Sequence, residues 1–338
     1  MLRRHGRLRS RWVAAAVALM AGACMVPDPQ VGQTLPFPQA NRVPTAADLA
    51  YGPHEKQTLD VFRPDAVQFP GARPLIVYVH GGVWAFGDKA DIRCGGGTGC
   101  DPTISLPALP KQIDRGYVVA SINYRGINHA PHPAQVQDVK LAIDWLRDHA
   151  GTYGIDTNQV VVAGHSAGGH LAALAALSPG QFEPAGVAQT VVDGFVSLNA
   201  PTDLKTWAVW ADTHGQPGLA DGVAGLTGCD YTVDASCDDP GQEYDQASPL
   251  FHAGADDPPG YLTCKDWDPF VPCSQLQLLH DKLVDAEDVD SAAVFDDILC
   301  LQPRPVSCGT ETAPLERHNP DRDLNLTALS EFLDQVTN

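Results

Sequence analysis

The apolar positions of this chain follow two periods. Residues 58–62, 74–79, 117–122 and 191–198 are apolar at every position or every second position, rich in β-branched residues and bounded by Gly, Pro or Asp. Each reads as a strand. Thr58-Leu59-Asp60-Val61-Phe62 alternates, which predicts a half-exposed edge strand, whereas the near-continuous runs predict strands covered on both faces. Val160-Val161-Val162-Ala163 is a further such run, and 260–263 and 292–295 are shorter ones. Between these runs the period changes to 3.6. In 135–149, Val136, Val139, Ala142, Ile143 and Leu146 fall together on one side of a helix, and in 326–336 Leu329, Phe332, Leu333 and Val336 do the same. Residues 274–284 and the Ala/Leu-rich stretch after Leu171 also read as helices. Strands alternating with helices predict a mostly parallel sheet covered on both faces, with function at the carboxyl ends of its strands. Residues 201–259 break both periods and carry many Gly, Asp and Pro; they read as a loop-rich cap inserted between strands, helical at 206–211.

The central run leads into Gly164-His165-Ser166-Ala167-Gly168, and a helical run follows at once. This Gly-x-Ser-x-Gly between strand and helix predicts a sharp elbow with a serine at its tip. A serine hydroxyl is a weak nucleophile. It needs a base within hydrogen-bond reach, and the base needs an orienting acid. In sheets with this elbow the chain order is serine, acid, histidine. Asp268 follows a strand in a Pro-bounded loop, with Asp266 two residues away as its rival. Beyond them the histidines are His280, inside a predicted helix, and His318, in a loop before the last helix; loop placement favours His318 as the base. His165 and His170 precede the acid and read as packing residues. An oxyanion needs converging backbone N–H groups, and glycine allows the close approach. Gly81 and Gly82 after the 74–79 strand, together with the N–H of Ala167, meet that need. Such a site requires no cofactor and no metal.

Composition adds a compartment. The formal net charge of −19 argues against nucleic acid as a partner. Arg3, Arg4, Arg7, Arg9 and Arg11 precede a short apolar stretch, 12–23, that ends in Ala21-Gly22-Ala23 and is followed by Cys24. This pattern predicts an export signal over 1–23. The small residues before Cys24 resemble the lipobox of bacterial lipoproteins, which implies lipidation of Cys24, membrane anchoring and a cell-envelope location; secretion without lipid is the alternative. Five prolines in 24–50 read as a spacer before a domain spanning 51–338. The other eight cysteines fall into near neighbours: Cys94 with Cys100, Cys229 with Cys237, Cys264 with Cys273, Cys300 with Cys308. Proximity suggests these as disulfides, in keeping with export.

Several stretches together resemble the α/β-hydrolase superfamily, in its His-Gly-Gly esterase and lipase branch. They are His80-Gly81-Gly82-Val83-Trp84 with Gly87-Asp88-Lys89, Asn123-Tyr124-Arg125, the elbow through Gly169-His170, Pro201-Thr202-Asp203-Leu204, and Asp268-Pro269-Phe270-Val271-Pro272. The closer look-alikes are hormone-sensitive-lipase-like and feruloyl- or acetylxylan-esterase-like enzymes, and arylformamidases. The resemblance implies an α/β-hydrolase fold, a Ser166–Asp268–His318 triad, and small-molecule or polysaccharide-linked esters as substrates. Two positions depart from the pattern: the third glycine of the fuller oxyanion motif is Val83, and the His-Gly before the acid loop is Cys264-Lys265. An amide hydrolase of the arylformamidase kind and a non-catalytic binding module of the same fold are the competing readings.

Overall fold

The structure, a computed structural model, describes residues 43–93, 110–230, 243–264, 268–286, 295–296 and 326–337. The export signal, Cys24, Cys94, Cys100, Cys237, Asp266, Cys300, Cys308 and His318 lie outside the described residues. Eight strands form one sheet: β1 (Ala46–Ala50), β2 (Thr58–Phe62), β3 (Arg73–Val79), β4 (Val118–Ile122), β5 (Ile155–His165), β6 (Gly194–Leu198), β7 (Gly260–Thr263) and β8 (Phe295–Asp296). Their order is β1-β2-β4-β3-β5-β6-β7-β8. The pairs β1–β2 and β2–β4 are antiparallel, and from β4 onward every pair is parallel.

Period-two alternation divides the core between the two faces of the sheet. Leu75, Val77, Val79, Val160 and Val162 join one cluster with α1 (Ala134–Asp148) and α2 (Ala167–Leu177). Ile76, Tyr78, Val161, Ala163, Val196 and Leu198 join the other, with Leu329, Phe332 and Leu333 of a C-terminal helix, Leu326–Val336. Each such apolar side chain contributes about 1.5–3 kcal/mol when fully buried. All eleven residues of α2 are buried, so the helix behind the serine is wedged inside the protein.

Two expectations change. First, β2 is not an edge strand: β1 pairs outside it, drawn from the end of the stretch expected as a spacer. The polar position that suggested exposure, Asp60, is 1% exposed and holds the Lys89 ammonium at 2.6 Å. A buried ion pair therefore mimics a solvent-facing alternation. Second, the 201–259 insertion is more helical than its composition suggests. It contains α3 (Leu204–Thr213), α4 (Pro217–Thr227) and α5 (Glu243–Ala247). Asp203 caps α3, its carboxylate accepting from the N–H groups of Lys205 and Thr206. In α4, Pro217 begins the helix, Gly228 ends it in the left-handed region, and Leu219, Val223 and Leu226 are buried. After β7, α6 (Ser274–Ala286) follows.

Candidate active site

Parallel pairing brings the carboxyl ends of β3, β5 and β6 side by side, with Val79 opposite Gly164 and Gly164 opposite Ser197. The chain turns at Ser166, which has φ 55° and ψ −125°. A positive φ is costly for a residue with a Cβ, on the order of 1–3 kcal/mol. The surroundings hold it there. The Ser166 N–H donates to Leu198 O at 2.8 Å, continuing the β5–β6 ladder by one bond. The His170 N–H donates to Ser166 O at 2.9 Å, closing the first turn of α2. The flanking glycines are required by the crossing of strand and helix. A Cβ on Gly164 would stand 2.7 Å from Gly169 N, and one on Gly168 2.6 Å from His80 O. The serine is half-buried, with the N-terminus of α2 behind it.

The loop after β3 reaches this elbow. A Cβ built on Gly81 would lie 3.3 Å from Ser166 Cβ and 3.0 Å from His165 O, so the Gly81 backbone rests on the serine. Next come Gly82 at φ 109°, Val83 at φ 52° and Trp84 at φ 54°. Val83, which replaces the third glycine of the fuller motif, thus occupies a left-handed conformation that favours glycine. His80 braces the loop. Its Nδ1–H donates to Gly81 O at 2.8 Å, and Tyr124 stacks on its ring at 4.5 Å while donating its hydroxyl to His80 O. In a trans peptide the C=O and the following N–H point opposite ways. Holding Gly81 O toward His80 therefore turns the Gly82 N–H to the other side. Burial lowers the His80 pKa to about 4, so the imidazole is neutral at neutral pH. A cavity of about 60 Å³, lined by His80, Phe86, Tyr124 and Asn128 among others, borders this loop but does not include Ser166.

Asp268 lies beyond β7, 5% exposed, in a loop closed by the Cys264–Cys273 disulfide with Cα atoms 5.3 Å apart. Of the four suggested cysteine pairs, this one lies wholly within the described residues, and Cys229 is also disulfide-bonded. Donors among the described residues hold the Asp268 carboxylate at both oxygens. Oδ1 accepts from the N–H groups of Phe270 and Val271 at 2.8 and 3.1 Å, and Oδ2 accepts from Asn199 Nδ2 at 2.7 Å. Asn199, at φ 46° just past β6, was not among the sequence candidates. Its one sequence signal is a polar residue directly at the end of a buried strand. His280 lies on α6, its Nδ1 3.0 Å from Asp281 of the same helix. His165 and His170 are both buried, as expected of packing residues. Among the described residues no group of His, Cys, Asp and Glu could hold a metal ion, and no helix is long and apolar enough to cross a membrane.

A serine on a strained strand–helix elbow, over a mostly parallel sheet with helices on both faces, defines the α/β-hydrolase fold. The chain belongs to the BD-FAE family, whose model matches residues 59–283. It is 29% identical over 257 residues to the esterase LipQ of Mycobacterium tuberculosis, covering 75% of this chain and 56% of that protein. It is 30% identical over 239 residues to the esterase LipC of the same organism, covering 70% and 54%. The chain thus spans about half the length of the curated relatives it matches. Among solved structures it is similar to a truncated carbohydrate esterase from gut microbiota, with TM-score 0.54, 25% identity, and 71% and 83% of the two chains covered. An esterase from Thermogutta terrifontis bound to propionate shares the fold at TM-score 0.57 and 22% identity, with 86% and 95% covered.

Proposed function

We propose that this chain is a serine carboxylic ester hydrolase. The observation that carries the reading is Ser166 at φ 55° at the head of α2, with the Gly81 backbone packed on it. In this mechanism Ser166 Oγ attacks the ester carbonyl as His318 takes its proton. Asp268 orients the imidazole and stabilises the imidazolium that forms. The N–H groups of Gly81, Gly82 and Ala167 stabilise the tetrahedral oxyanion, a contribution of about 3–4 kcal/mol for one donor in a comparable hole. The alcohol leaves with the proton from His318, and water then hydrolyses the acyl-enzyme through the same base.

The resemblance to a carbohydrate esterase supports esters carried on polysaccharide as substrates, alongside small soluble esters. The arginine-rich start and Cys24 support export with a lipid anchor, tested by palmitate incorporation in wild type against Cys24→Ser. The enzyme reading is tested by turnover of a chromogenic acetate ester and by labelling with a fluorophosphonate. Ser166→Ala is expected to lose both. A variant that keeps full turnover ends the serine mechanism, and a wild-type chain that neither labels nor turns over esters is a binding module.

A further inference from the structure

We propose that Trp84, His170 and Trp207 form a positioning unit that fixes the oxyanion loop against Ser166 and ties it to the loop carrying Asp268. The inference rests on the esterase reading above. Three consecutive residues of the oxyanion loop have positive φ, and two of them, Val83 and Trp84, are not glycine. Such a backbone costs on the order of 1–3 kcal/mol per non-glycine residue and persists only where its surroundings over-determine it. Trp84 supplies much of that constraint. It is 1% exposed, its carbonyl accepts the Ile127 N–H at 2.9 Å, and its indole Nε1–H donates to His170 Nδ1 at 3.1 Å.

His170 suits this role by position and by tautomer. It lies on α2 one turn after the nucleophile, joined to it by the helical bond from His170 N–H to Ser166 O. The acceptor that holds the oxyanion loop is therefore built into the helix that starts at the serine. Its other nitrogen, Nε2, faces Ala247 O at 2.7 Å. A carbonyl only accepts, so Nε2 carries the proton and Nδ1 is left as the acceptor that the indole needs. Burial lowers the His170 pKa to about 3, so this neutral form persists at any pH where the base of the mechanism is active.

Trp207 extends the unit. Its ring packs edge-on against Trp84 with centroids 5.9 Å apart, and its own Nε1–H donates to Phe270 O at 2.9 Å. Phe270 in turn donates its N–H to Asp268 Oδ1. One chain of contacts thus joins the nucleophile helix, the oxyanion loop, the inserted helix α3 and the acid loop. All three side chains are buried, at 3% exposure or less. They act by holding the groups that touch the reacting atoms.

Oxyanion donors act in the transition state, so misplacing them lowers kcat and leaves KM nearly unchanged. The experiment measures kcat and KM on a soluble acetate ester, with kcat divided by the serines titrated with a fluorophosphonate, so that unfolded molecules do not count. Trp84→Phe keeps an aromatic ring but removes the N–H, and His170→Leu removes the acceptor. Each is expected to lower kcat per labelled serine by about 10- to 100-fold, the scale of a small misplacement of catalytic groups. His170→Asn puts an amide oxygen close to the place of Nδ1 and is expected to recover most of the loss. Trp207→Phe tests the arm to the acid loop and is expected to lower kcat in the same way. If His170→Leu does not fold, Trp84→Phe and Trp207→Phe carry the test. Wild-type kcat per labelled serine in Trp84→Phe, or equal losses in His170→Asn and His170→Leu, overturns the unit while leaving the esterase reading intact. Absence of wild-type labelling overturns both.

Discussion

Replacing Gly168 by alanine sets two magnitudes against each other. Gly168 is the second residue of α2, where alanine gains over glycine at most the about 1 kcal/mol it has in a helix interior. Helix propensity alone therefore predicts a stabilised protein. The packing predicts the opposite. A Cβ at this position would stand 2.6 Å from His80 O and 2.7 Å from Val79 C, with Val79 O nearer still. An ordinary C···O approach is about 3.3 Å, so α2 and the end of β3 would have to part by roughly 1 Å. The atoms met are backbone of a central strand, with no flexible side chain to yield, and α2 is buried on every side. Overpacking of this kind costs about 1–3 kcal/mol or more, which exceeds the propensity gain. At about 2–4 °C per kcal/mol for a domain of this size, Tm is expected to fall by several degrees. The effect on rate is larger. Parting β3 from α2 separates Gly81 and Gly82 from Ser166 and Ala167, and a misplacement of about 1 Å costs on the order of 100-fold in rate. The assay is kcat per fluorophosphonate-labelled serine, with a thermal scan on the same sample. Wild-type kcat with a Tm unchanged or raised, the outcome that propensity alone gives, would refute the packing argument.

Other perturbations test other parts of the site. Burial depresses the pKa of His80 to about 4 and of His170 to about 3, below the ordinary 6.5. Between these values and 6.5 the unfolded chain binds more protons, so stability is full above pH 6.5 and falls as pH drops toward 4, by up to about 1.4 kcal/mol per pH unit for each histidine. Urea midpoints that stay flat from pH 7 to 4.5 would contradict this. Asn199→Ala removes one donor to the Asp268 carboxylate, a charge-assisted bond of about 1.5–3 kcal/mol, and is expected to lower both kcat and the urea midpoint. Asn199→Asp places a second carboxylate against the first and is expected to do worse; the reverse ranking would remove Asn199 from the orientation of Asp268. Replacing Cys264 and Cys273 together by serine opens the loop around Asp268, which spans nine positions, and is expected to lower kcat while far-ultraviolet circular dichroism stays unchanged. Full activity in that double variant would show that the bridge does not hold the acid.

The Ser166 end of the candidate site is legible in the sequence because its constraints are local. A strand, a positive-φ serine and a helix meet within a dozen residues, and glycine at 164 and 168 lets those backbones approach closely. The sheet is legible for a similar reason: strands buried on both faces appear as uninterrupted apolar runs. Reading fails where a residue's partner is far away in the chain. Asp60 looks solvated until Lys89 is seen beside it. Asn199 shows in the sequence only as a polar residue ending a buried run, until Asp268, 69 positions on, is placed against its amide. Trp84 stands in the His-Gly-Gly motif, yet its indole N–H donates to a histidine 86 positions later that the motif does not contain. Residue type carries little of this, because a buried tryptophan or histidine that only fills space and one that fixes a loop have the same apolar neighbours. The difference lies in whether both ends of the polar handle are matched, and that is a property of the fold. In the proposed mechanism the motif at this elbow therefore specifies which atom attacks, while the accuracy of the proposed oxyanion and acid partners depends on long-range pairs that no short pattern contains.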